Sequence, residues 1–129
     1  MARTVVSRFT EATWERTGEI KNARPVYFLT SPLAYEIGFL GSGWTITAPE
    51  GFCTDLASLP GWFARTAAGM RLSDQIARSA VVHDRMRADR RWPKLLGDYV
   101  FFEALGVDHV PMGWRLICFV AVALNFSRY

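Results

Sequence analysis

Four ionisable residues, Asp55, His83, Asp84 and Asp98, stand where the surrounding pattern expects apolar side chains. Asp55 lies in a proline-bracketed turn, Ala48-Pro49-Glu50-Gly51-Phe52-Cys53-Thr54-Asp55-Leu56-Ala57-Ser58-Leu59-Pro60, that ends a strand. At 100° per residue, His83 falls roughly 20° from Ile76 and about 60° from Ala80, on the apolar stripe of its helix. Asp84 sits on the flank of that stripe, and Asp98 stands between Leu95 and Phe102 on the next helix. A carboxylate turned inwards must find a partner, become neutral or bind a cation, because burying it unpaired is costly. One chemistry that meets this need is a divalent metal centre. Asp55, His83 and Asp98 would be ligands and Asp84 a ligand or general base, a mixed imidazole and carboxylate set suited to zinc, manganese or iron. An incomplete shell would leave room for an activated water. The alternative is a structural network. Asp55 then caps the helix at residues 57–60 or binds the Thr54 and Ser58 amides, His83 bonds a carboxylate across the helices, and Asp98 pairs with an arginine such as Arg78 or Arg87.

Other catalytic templates are weaker. Ser58 lies in no nucleophile elbow. Cys53 with His83 would make a nucleophile pair, but a cysteine after an aromatic strand residue is more often core. The glycine-rich run at residues 38–43 lacks the strand-to-helix context and the lysine of a phosphate cradle.

The elements that must position the four residues fall into two halves. Residues 1–24 are polar and mixed, with Phe9 and Trp14 as anchors, and read as an extended N-terminal arm with little core of its own. Residues 25–129 read as one α+β domain. Residues 25–37 are rich in β-formers broken at Ser31-Pro32, and Trp44-Thr45-Ile46-Thr47-Ala48 alternates as a half-buried strand does. A hairpin around Gly41-Ser42-Gly43 joins them. After Ser58-Leu59-Pro60 the period changes to helical. A helix begins at Ser73-Asp74-Gln75 with Leu72, Ile76, Ala80 and His83 on one face. Another starts at Pro93, has Leu95, Asp98, Tyr99 and Phe102 on one face, and is stopped by Gly106. Pro111 opens the last. The predicted fold is a small N-terminal antiparallel sheet followed by three or four packed helices.

Bulk properties narrow the classes further. A chain of 129 residues, half of it apolar, is long enough for one core and too hydrophobic for disorder. The charge of +3 comes from 13 Arg and 2 Lys against 12 acidic residues. The densest basic run, Arg85, Arg87, Arg90 and Arg91, is either a solvated connection or a nucleic-acid contact. Cys53 and Cys118 form no disulfide framework and read as buried free thiols. No secretory signal core is found. The apolar run at residues 116–124 is about half the ~20 residues that span a bilayer, so no membrane span is expected. That last helix is expected to be buried in the core, with a partner-docking or membrane-surface face as the alternative.

The order Tyr27-Phe28-Leu29, then the turn segment from Trp44 to Pro60, then Ala80-Val81-Val82-His83-Asp84, resembles a small phage and prophage family of unknown function. That family is marked by a PxGFxTDxASxP segment, an HD helix and an acidic helix ending F-x-x-A-L-G-V. The last part appears here as Gly97-Asp98-Tyr99-Val100-Phe101-Phe102-Glu103-Ala104-Leu105-Gly106-Val107. The likeness runs over roughly residues 26–125. It departs after the His-Asp pair, where Arg85-Met86-Arg87 replaces the usual x-L-Y, and at Gly97, where alanine usually precedes the aspartate. The resemblance implies a viral or prophage gene and a characteristic polar cluster at Asp55, His83, Asp84 and Asp98.

Two functions follow as expectations. The first is a phage-encoded accessory or virion-associated structural protein, acting on other phage proteins or a second copy of itself through interface residues such as Trp14, Trp62, Trp92 and Trp114. It would reside in the virion or the host cytoplasm. The second is a metal-dependent hydrolase of a phosphoester or cell-wall bond.

Overall fold

The computed structural model describes residues 8–21, 24–54, 67–89 and 92–124. Five strands come first: β1 (Trp14–Lys21), β2 (Arg24–Leu29), β3 (Leu33–Glu36), β4 (Thr45–Ala48) and β5 (Cys53–Thr54). Three helices follow among the described residues: α1 (Ala67–Ala88), α2 (Lys94–Val107) and α3 (Met112–Ala123). The fold is α+β, strands before helices. The strands divide into two small antiparallel sheets, β1-β2-β5 and β3-β4.

The β3–β4 hairpin follows from period-two patterning. Leu33 faces Ala48 and Tyr35 faces Ile46 across the ladder, and all four are buried while Thr45 and Thr47 face out. This apolar face packs on α1, which packs on α2, which packs on α3. One core cluster joins Leu29, Leu33, Tyr35 and Ile46 to Val81, Val82 and Met86 of α1. A second lies among the helices around Ile76, Ala80, Phe101, Leu105, Cys118 and Val122.

The N-terminal segment differs from a bare arm over its described part. Phe9 is buried, bridges to Tyr35 and stacks on it at 4.6 Å, and Trp14 packs against the first cluster. β1 runs antiparallel to β2, with Trp14 opposite Leu29. Its sequence alternates too weakly to advertise a strand, because at a sheet edge backbone pairing holds it and charged side chains face water.

The helices correct four further expectations. α1 is already helical at Ala67, so Ser73 lies inside it and does not open it. α2 runs through Gly106 to Val107 and ends in a Schellman motif. There Val110 N–H donates to Leu105 O at 3.0 Å, His109 N–H donates to Gly106 O at 3.1 Å, and His109 takes the left-handed conformation at φ 62°. The buried stripe of α2 is Gly97, Asp98, Val100, Phe101, Ala104 and Leu105, whereas Leu95 and Tyr99 are exposed. Leu95 and the aromatics drew the predicted stripe about 125° from the true one, which is set by packing against α1 and α3. α3 is only half-sunk. Cys118 and Val122 are buried, but Met112, Leu116, Val120 and Leu124 face outwards.

Candidate functional site

The proline-bracketed turn is built by glycine and by pairing to β2. Gly51 adopts φ 86°, its N–H donates to Leu29 O at 2.8 Å, and Leu29 N–H donates to Phe52 O at 3.0 Å. β5 then places Tyr27 opposite Thr54. This buries the Thr54 side chain, whose hydroxyl donates to Asp84 Oδ2. Arg87 Nη1 lies 3.5 Å from the other oxygen of Asp84. The turn segment and the His-Asp pair of α1 are thus joined by a direct bond.

One residue earlier, the His83 ring is turned into the helix pack. Its Nε2 lies 2.7 Å from Asp98 Oδ1, and both side chains are 2% exposed. A carboxylate only accepts, so Nε2 is the donor. Phe101 covers the imidazole, with ring centroids 5.1 Å apart. The second oxygen of Asp98 accepts from Lys94 Nζ at 2.5 Å, one helical turn away on α2. Lys94 also donates to Val122 O at 2.8 Å and Ala123 O at 3.2 Å, the last carbonyls of α3. One ammonium therefore neutralises Asp98 and caps α3, where a helix carries its negative dipole end. Burial pushes the Asp98 carboxyl upwards, but the hydrogen bonds and charges of His83 and Lys94 outweigh it and hold the group below its ordinary value.

The expected cluster is therefore partly assembled. His83 and Asp98 meet as placed. Asp84, though adjacent in sequence, serves Thr54 and Arg87. Asp55 lies outside the described residues, as do Ser58, Pro60 and Trp62. Among the described residues no three His, Cys, Asp or Glu side chains are placed to hold a metal ion. Among the described residues Asp98 pairs with lysine and histidine and not with an arginine; Arg78 instead forms an ion pair with Asp108. Sequence reasoning missed Lys94 and Thr54. Lys94 had two signals, its i,i+4 spacing from Asp98 and its rarity among 13 arginines. A compact ammonium with three donors fits three acceptors converging on one point, which a planar guanidinium does not.

Two other features serve the fold. Arg85 Nε donates to Thr47 O at 3.1 Å and its guanidinium lies 5.8 Å from the Phe52 ring centre. Arg87 is 8% exposed, so the described part of the basic run is not a free solvated connection. Trp14, Trp92 and Trp114 pack against the core clusters. Cys118 is buried as expected, but Cys53 is exposed.

With this geometry in hand, comparison with family models gives a match over residues 28–122 to a family described as a protein of unknown function (DUF1353). The chain belongs to this family. The matched span starts in β2 and ends near the close of α3, so it contains Thr54, His83, Asp84, Lys94 and Asp98 but leaves out β1 and Phe9. No curated protein and no solved structure matches the chain. Among the described residues no helix is long and apolar enough to cross a membrane.

Proposed function

We propose that this member of the family works through protein contacts, as an accessory or virion-associated structural protein of a phage or prophage. The outer face of α2 and α3 is its contact surface, and a second copy of the chain is the occupant. One observation carries the reading. Leu95, Tyr99, Met112, Leu116, Val120 and Leu124 are between 49% and 74% exposed. Met112, Leu116, Val120 and Leu124 recur every fourth residue and form one ridge along α3. Phe102 meets Phe119 edge-on at 5.6 Å and joins this ridge to α2. The exposed area is roughly 600 Å², at the top of what a monomer ordinarily shows. It approaches the ~800 Å² per partner of a stable interface. A fourth-residue ridge can seat in the grooves of an identical helix, and a two-fold axis closes that contact. The phage or prophage setting rests on the PxGFxTDxASxP resemblance.

The competing proposal is a hydrolase whose metal is held by Asp55, His83 and Asp98, with Asp84 assisting. It draws support from the meeting of His83 with Asp98. A cation there would have to displace Lys94 from Asp98, so the contact reading is the better supported. Sedimentation of the wild type and of Leu116→Glu tests it. A wild-type dimer at micromolar concentration, monomeric with unchanged helicity in the variant, is expected. A wild type that stays monomeric and is missing from purified particles would sink the proposal. Stoichiometric zinc, manganese or iron in the wild type, absent from His83→Ala, would favour the hydrolase.

A further inference from the structure

We infer that the cleft between α2 and the first turn of α3 is a binding site for a carboxylate or phosphate group carried on a flat apolar body. The cleft is a shallow, open depression of about 390 Å³ lined by Arg8, Tyr99, Phe102, Glu103, Gly106, Val107 and Arg115. Its charges do not balance. Glu103 is already saturated: Arg8 Nη2 lies 2.7 Å from it, the Tyr35 hydroxyl donates at 2.7 Å and Gly38 N–H donates at 3.2 Å. Arg8 is spent on that pair, on Glu36 O at 3.1 Å and on the Tyr35 ring. Among the described residues Arg115 has no such partner. Its guanidinium carbon lies 4.3 Å from the Phe102 ring centre, and its Nε is buried without a hydrogen bond.

The position of Arg115 makes the imbalance sharper. It stands in the first turn of α3, a turn without an acidic residue, where the helix dipole already favours anions over cations. The guanidinium is also held in place. A Cβ on Gly106 would come within 2.7 Å of Arg115 Nη2, so the absence of a side chain there is what admits the fork. A guanidinium fixed on an aromatic face, with its donors unused, suits two parallel bonds to a planar carboxylate or to phosphate oxygens. Phe102, Val107 and the ring of Tyr99 supply apolar wall for the rest of the ligand. The site shares Tyr99 and Phe102 with the proposed self-association face, but it rests on Arg115, which that reading does not use.

The test is a titration of ¹⁵N-labelled protein with benzoate and with phenyl phosphate at constant ionic strength, followed at the Arg115 Nε–H and the Gly106 amide. Saturable shifts with Kd on the order of 1 mM are expected. Arg115→Gln should weaken binding by about tenfold or more. Gly106→Ala leaves the charge unchanged but displaces the guanidinium, and should weaken binding as well. The tighter of the two probes identifies the ligand as carboxylate or phosphate. Shifts that never saturate, or equal affinity in wild type and both variants, would overturn the site.

Discussion

Replacing Lys94 by methionine tests whether the polar network holds the helices together. The substitution keeps the aliphatic stem and removes three hydrogen bonds, to Asp98, Val122 O and Ala123 O. A bond between charged groups contributes about 1.5–3 kcal/mol net, and a cation at a helix C-terminus about 0.3–1 kcal/mol. Asp98 would keep His83 but lose its counter-charge in a site 2% exposed, so the full cost approaches the ~3 kcal/mol of a broken buried pair. In a chain of this size that lowers Tm by roughly 10 °C. Urea melts followed by far-ultraviolet dichroism give the difference directly, provided the slope is unchanged. Lys94→Arg keeps the charge but not the three-way fit, and should recover less than half the loss. Paired with Asp98→Asn in a double-mutant cycle, the two residues should show about 1–3 kcal/mol of coupling. A Lys94→Met cost below about 0.5 kcal/mol, the level of an exposed i,i+4 pair, would refute the reasoning.

Three further outcomes follow from the same structure. Asp98 is held below its ordinary 3.8, so its contribution is complete above that value and is lost as pH falls through the folded-state one. The stability gap between wild type and Asp98→Asn should therefore stay level near neutrality and shrink only below about pH 4 in acid melts. His109 occupies a left-handed position that glycine takes without strain, so His109→Gly should raise stability by about 0.5 kcal/mol and His109→Val lower it by over 1 kcal/mol. Burial pushes the Cys118 thiol up to about 11 while Cys53 is exposed, so a disulfide reagent at pH 8 should titrate one thiol in the native protein and both in urea.

The legible parts of the sequence were those set by local period or by a breaker. Thr45 to Ala48 alternates, and the strand has buried Ile46 and Ala48. Pro93 and Pro111 stand at the N-caps of the helices they were expected to open, where a missing N–H breaks no intrahelical bond. His83 was placed inside because Ile76 and Ala80 share its face, and all three are buried. What stayed hidden depends on partners far along the chain. β1 is polar and held by pairing to β2. The face of α2 is chosen by α1 and α3, which outweigh the pull of Leu95 and Tyr99. Lys94 reads as surface until the end of α3 is seen above it.

The placement of His83 and Asp98 explains why a small fold keeps ionisable groups inside. Val81, Val82 and Met86 belong to the cluster that α1 shares with the strands, while Ile76, Ala80 and Phe101 belong to the cluster among the helices. On α1, His83 stands at the seam between the residues of the two clusters, to both of which α1 and α2 contribute. Apolar contact alone would let these helices shift along each other with little change in buried area. Directional bonds remove that freedom. Thr54 to Asp84 fixes β5 on α1, His83 to Asp98 fixes α1 on α2, and Lys94 fixes α2 on the end of α3. Each link costs desolvation, so its value lies in uniqueness of packing as much as in stability. An apolar triple replacement, His83→Leu with Asp98→Leu and Lys94→Met, separates these effects. It should melt near the wild-type temperature yet show broadened side-chain resonances across α2 and α3. Sharp, wild-type-like resonances would mean that shape alone sets the seam.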